Sequence, residues 1–174
     1  MKTLTTYIKE DFKLSHKTNV KKNDCTFTYI NYDNHGTSPF YHMKIFDATW
    51  PEYGKYEDKV YINGKPATLK SGWTTNIISD EFIEVKIRDI DNITNCCGMF
   101  AGTRVVYVKK FNTSMVQNME RMFYNCRVLK NVELLDTTNV NNMSNMFLCC
   151  HDLNDETHKR WMAVYDFFMN EKRK

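Results

Sequence analysis

The sequence predicts an α+β protein: a small β-rich N-terminal unit, then a short solenoid of repeats, then a helix that caps the solenoid. Three observations predict it. Residues 111–132 and 135–153 nearly repeat each other. Val116 pairs with Val140, Met119 with Met143, Met122 with Met146, Phe123 with Phe147 and Cys126 with Cys150, at a constant step of 24 residues. A worn copy upstream sets Ile93, Cys96, Met99, Phe100 and Thr103 a step of 23 before their counterparts. A fixed period in the twenties marks one supersecondary unit stacked on the next. The second observation is that short runs before the repeats alternate with period two. The third is that apolar residues after them recur at helical spacing.

In chain order, Leu4, Tyr7, Ile8 and Phe12 share one face of a short helix over residues 3–14. Such a segment is too short to stand alone and docks either on its own domain or on a partner. It loosely resembles the leaders of many proteins encoded by bacteriophages of gut bacteria. Cys25 to Tyr32 alternates and is rich in β-branched and aromatic residues, which predicts a strand. Residues 33–39 are turn chemistry, and residues 40–50 predict a second strand ending before Pro51. Asn63-Gly64 between extended flanks predicts a type I′ hairpin, because both central residues need positive φ. Pro66 lacks an amide hydrogen, so the second arm is an edge. Phe82 to Ile90 alternates again and leads into the first copy.

Each repeat predicts a strand (Val105 to Val108, then Leu129 to Leu134) and a short helical turn, whose inward face carries Val140, Met143, Met146, Phe147 and Cys150. Asn154 or Asp155 then caps a helix presenting Trp161, Val164, Tyr165 and Phe168. The boundaries follow: an N-terminal helix plus β-rich unit over residues 1–81, repeats over 82–153, and a capping helix over 154–174.

Composition narrows the function. With 42% hydrophobic and 14% aromatic residues the chain has material for a core and is not a disordered polymer. A net charge of +3, spread along 174 residues, gives no nucleic-acid footprint. No run approaches the roughly 20 apolar residues of a membrane span, and the first residues lack the apolar core of an export signal. The expected location is the cytoplasm or the inside of a phage particle. Without an export signal the six cysteines read as free thiols.

The temptation toward chemistry lies in Cys96-Cys97, Cys126 and Cys149-Cys150-His151. Zinc needs four converging ligands, and adjacent cysteines diverge. Cys126 and Cys150 occupy one equivalent inward position where a small apolar side chain fits. His151 and His158 have no local context that makes either a base for a cysteine nucleophile. Acids near Asp89 and Asp155 read as caps, and the six glycines form no phosphate loop. No catalytic residue, metal or cofactor is therefore expected. If Val106, Val108, Val132 and Leu134 point inward, period two turns Tyr107, Lys109, Asn131 and Glu133 outward, and these four are the candidate partner-binding residues.

The phrases from Phe111 to Leu129 and from Leu135 to Leu153 closely resemble BspA-like leucine-rich repeats, of the Met-Phe variety found in bacterial surface proteins and mycoplasma lipoproteins. The repeat core on this resemblance is Val116, Met119, Met122, Phe123, Cys126 and Leu129, then Val140, Met143, Met146, Phe147, Cys150 and Leu153. The resemblance covers about residues 90–153. It implies a right-handed solenoid devoted to protein recognition or adhesion, with no catalytic residues to carry over. The chain departs from it in having fewer than three good copies, no surface anchor and an unrelated front half, which sets adhesion aside. The expected function is a non-enzymatic protein–protein interaction module of bacterial or phage origin, whose partner is another protein. The alternatives are a structural subunit of a phage particle and, behind it, a cysteine- or metal-dependent enzyme.

Overall fold

The computed structural model describes residues 25–30, 43–74, 82–90, 92–133 and 135–171, with side chains of the final helix described to residue 166. The expected helix over residues 3–14, residues 31–42, Leu134 and the side chain of Phe168 lie outside the described residues. Among the described residues eight strands form: β1 (Cys25–Ile30), β2 (Val60–Ile62), β3 (Lys65–Pro66), β4 (Leu69–Lys70), β5 (Trp73–Thr74), β6 (Phe82–Ile87), β7 (Val105–Lys110) and β8 (Asn131–Val132). An α-helix, α1 (Asp155–Glu171), follows them.

Period-two patterning builds the main sheet. Cys25, Phe27 and Tyr29 of β1 and Ile83, Val85 and Ile87 of β6 are fully buried, while the residues between them face outward. The six strands run in the order β3-β2-β6-β1-β7-β8, and all neighbours are antiparallel except β7 with β8. The β2–β3 turn has Asn63 at φ 47° and Gly64 at φ 79°, and β3 with its Pro66 forms the sheet edge.

This architecture overturns the expected β unit followed by a solenoid. What forms is one mixed six-stranded sheet with a C-terminal helix, and residues from both halves of the chain share it: β1 sits between β6 and β7, and β8 of the repeat region closes the far edge. The short helices expected in each copy are corrected too. The copies are chains of tight turns, closed by three-residue bonds such as Met122 N–H to Met119 O, Tyr124 N–H to Arg121 O and Cys126 N–H to Phe123 O. Gly98, Arg121 and Asn145 hold left-handed φ values of 66°, 52° and 58°, and four residues later Gly102, Asn125 and Cys149 hold 64°, 57° and 65°. A left-handed residue ends an α-helix. Successive three-residue turns repeat apolar positions at nearly helical spacing, which is why periodicity alone suggested helices.

The copies nevertheless pack in register. Backbone amides of Cys96, Gly98, Phe100 and Gly102 donate to carbonyls of Asn118, Glu120, Met122 and Tyr124 at 2.8–2.9 Å. Those of Met119, Arg121, Phe123 and Asn125 do the same to Asn142, Ser144, Met146 and Leu148 at 2.8–3.0 Å. Phe100, Phe123 and Phe147 stack with near-parallel rings at 5.3 and 5.5 Å, and Phe147 meets Trp161 of α1 at 5.5 Å. Phe27 of β1 meets the other end of this column at 4.7 Å from Phe100, so sheet and copies share one core.

The strand expected over residues 40–50 is also corrected. Among its described residues, 43–50, only an isolated bridge between Lys44 and Trp73 forms. Asp47 bends the chain by accepting from the Thr49 amide and hydroxyl. Gly72 then takes the place of a strand partner, accepting from the amides of Ile45 (2.8 Å) and Phe46 (3.3 Å). At its φ of 82° a Cβ would lie 2.2 Å from the Phe46 carbonyl oxygen, so only glycine permits this approach.

Candidate functional site at the sheet edge and repeat turns

The four outward candidates come together on one patch. Tyr107 pairs with Asn131 and Val108 with Val132 in the parallel β7–β8 register, and Glu133 N–H donates to Val108 O at 3.0 Å. Tyr107 is 37% exposed, and Lys109 and Glu133 are open to solvent. Asn131 is half-buried because α1 reaches it: Thr157 Oγ1 donates to its Oδ1 at 2.8 Å. Shielding by its surroundings raises the Glu133 carboxyl pKa, against the pull of Lys110, Lys109 and Arg160.

The alternation behind those candidates holds only in part. β1 and β7 shift register twice, so Phe27 faces Val108 and Tyr29 faces Val105. Val105 and Val108 join the main core; Val106 is buried but lies outside it, and both Lys109 and Lys110 are exposed. Leu134 lies outside the described residues.

The repeat-core positions lie inside. Val116, Met119, Met122, Phe123, Cys126 and Leu129 are fully buried, Val140, Met143 and Met146 are at most 6% exposed, and Phe147, Cys150 and Leu153 pack half-buried against the core. The cysteines have a polar role as well as a packing one. Cys126 Sγ donates to Phe100 O and Cys150 Sγ to Phe123 O, each at 3.0 Å. Each thiol thus links one copy to the Phe of the copy before it. Burial pushes the Cys126 thiol up to about 12, helped by Cys150 beside it, and pushes Cys150 up to about 11. Both stay protonated donors. Among the described residues no group of three or more His, Cys, Asp or Glu side chains could hold a metal ion, and all six cysteines are free thiols.

A residue that sequence reading passed over holds the near end of the stack. Glu52 is 5% exposed. Its Oε1 accepts from the Thr94 amide (2.9 Å), the Thr94 hydroxyl (2.9 Å) and the Asn95 amide (2.7 Å), and its Oε2 pairs with Lys55 at 3.0 Å. Burial by itself would raise its pKa, but these donors outweigh burial and hold it below the usual carboxylate value. Trp50 Nε1 adds a bond to Asn95 O at 2.7 Å. No motif surrounds Glu52, so nothing in the sequence singled it out. A second feature was legible but unread: Arg104, Arg127 and His151 recur at steps of 23 and 24, the period of the repeat itself.

Mixed sheet, stacked turns and a covering helix define a repeat-bearing α+β protein. The family whose model matches residues 74–168 is described as Mycoplasma protein of unknown function, DUF285. That span is over half of the chain, and the chain belongs to this family. No curated protein and no solved structure matches it. No helix among the described residues is long and apolar enough to cross a membrane.

Proposed function

We propose that this chain is a protein-recognition module, kin to the BspA-like repeat proteins in the sequence of its copies, and that it binds a protein partner through the patch around Tyr107, Lys109, Asn131 and Glu133. One observation carries the reading. Apolar positions that repeat from copy to copy are buried or packed against the core, whereas the outward positions of the patch differ: Tyr107 stands beside Asn131, and Lys109 is followed by Glu133. Fixed inside and varied outside suits a surface tuned to one partner. Tyr107, Lys109 and Glu133 are its accessible members, and Tyr107 with Lys109 sets an amphipathic ring beside a cation, a pairing common at contact centres.

The test uses purified full chain, immobilised and passed through lysate of its native host. A discrete partner retained by the wild type and lost by Tyr107→Ala, with unchanged circular dichroism, supports the reading. Retention unchanged by the double variant Tyr107→Ala/Lys109→Ala removes the patch. Recovery of no specific protein removes the function.

A further inference from the structure

We propose that the pocket between the first two copies receives a carboxylate from an acidic peptide segment of the partner, with Arg127 as the principal contact. The proposal rests on the protein-recognition reading and names a second contact for the same partner. The pocket is a half-open depression of about 130 Å³ between Gly102, Thr103 and Arg104 on one copy and Asn125, Arg127 and Val128 on the next. Its two arginines are equivalent residues of successive copies, and His151 continues the column in the third.

Arg127 is set up for an anion. Asn125, held at φ 57°, accepts from Arg127 Nε through its Oδ1 at 2.9 Å, which aims the side chain. Among the described residues Arg127 makes no ion pair, and the two terminal nitrogens of its guanidinium have no hydrogen-bond partner. A guanidinium presents paired donors that match a carboxylate, and it sheds water more readily than an ammonium. Lys44 lies behind the lining residue Gly102: its Nζ donates to Ala101 O at 2.9 Å, lies 3.7 Å from where a Gly102 Cβ would sit, and pairs with Asp47 at 2.6 Å. Apolar surface near the pocket favours a peptide over a free phosphate. Val128 lines it, and Tyr124, next to the lining residue Asn125, is 37% exposed. A chain of side chains can use that surface and a small ion cannot.

The experiment is fluorescence anisotropy of a labelled hexa-glutamate peptide titrated with the full chain. Arg127→Gln is the informative variant, because the amide nitrogen of Gln keeps the bond to Asn125 while the charge and the paired donors are lost. It is expected to weaken binding about tenfold or more, as loss of a charge-assisted pair does. Arg121→Ala, an exposed cation of the same copy, is expected to leave affinity unchanged, and millimolar inorganic phosphate is expected not to displace the peptide. Equal loss in both variants means unspecific attraction and overturns the pocket. So does absence of peptide binding by the wild type, and displacement by phosphate overturns the peptide assignment. A host partner captured through Tyr107 whose affinity ignores Arg127→Gln overturns the pocket but leaves the recognition reading standing. Specific hexa-glutamate binding without any host partner does the reverse.

Discussion

Replacing Glu52 by alanine should loosen the junction between the front of the chain and the first copy. The carboxylate satisfies three donors on Thr94 and Asn95 and sits 5% exposed. Donors left without an acceptor in a buried place cost about 1–3 kcal/mol each, and water reaching part of the space reduces the sum. We expect a loss of about 3 kcal/mol. For a chain of this size roughly 2–4 °C of melting temperature follows each kcal/mol, so the fall is about 6–12 °C. Glu52→Gln keeps an acceptor oxygen but not the charge and should lose about half as much, since charge-assisted bonds are about twice as strong as neutral ones. The pH dependence gives an independent check. The folded carboxyl titrates below its ordinary value of 4.5, so its contribution is whole above that pH and disappears as pH falls through the folded-state pKa. Melts followed by circular dichroism at pH 7 and from pH 5 to 3 should show wild type and Glu52→Gln converging in acid. If the gap between them is unchanged by acid, or if Glu52→Ala is within about 0.5 kcal/mol of wild type, the junction is not held as described.

Four further outcomes can be measured. Phe123→Ala, which removes the middle ring of the column, should cost about 3–5 kcal/mol, and Phe147→Ala less because Phe147 is only half-buried; chemical denaturation checks the order, and equal mild effects would mean that the column is not a core. Cys126 and Cys150, whose thiols are pushed up to about 12 and 11, should resist a thiol reagent at pH 8 until the chain unfolds. Their raised values also make stability complete below pH 9, the ordinary thiol value, and falling as pH rises from there toward 11–12; a flat alkaline profile would count against the two thiol bonds. Arg121→Gly should stabilise the protein by about 0.5–1 kcal/mol, because a left-handed φ of 52° costs a non-glycine residue roughly 1–2 kcal/mol and part of the gain is returned as glycine's greater freedom when unfolded.

Local features were legible in the sequence where one physical constraint acts alone. Asn63-Gly64 demands positive φ at two successive residues, and the turn has it. Asn154 was readable as a cap because a short acceptor before an amphipathic run has few other uses, and Thr157 N–H does donate to its Oδ1 at 2.8 Å. Reading failed where two structures share one pattern. Met119, Met122, Phe123 and Cys126 fit a helical face, yet a string of three-residue turns repeats at almost the same interval. The deciding residues, Arg121 and Asn125, carry no glycine to announce their left-handed backbone. Sheet membership was hidden for a different reason: that β1 would lie beside β7, some 80 residues later in the chain, is settled by shared burial of Phe27, Val108 and Phe100, a long-range matter no local window contains. The proposed contact patch was half legible, since alternation exposes Tyr107 but cannot foresee the register shifts between β1 and β7 or the hand of Thr157 on Asn131.

The same bonding explains why the stack needs attention at both ends. Within it, turn amides of one copy donate to carbonyls of the next, while others donate back, Gln117 to Thr94 O, Asn141 to Gln117 O and Lys130 to Val106 O, so each end of the stack is left with both donors and acceptors to satisfy. At the near end Glu52 and Trp50 engage Thr94 and Asn95 in place of a preceding copy. At the far end the stand-in is α1 and its cap. Asn154 donates to Lys130 O through both its amide (3.1 Å) and its side chain (2.8 Å), the Arg160 guanidinium donates to Val132 O, and Trp161 covers the last ring of the Phe column. Two unrelated segments thus do one job, satisfying backbone groups that a further copy would have satisfied. Fewer than three good copies can therefore stand between two caps that are not copies themselves.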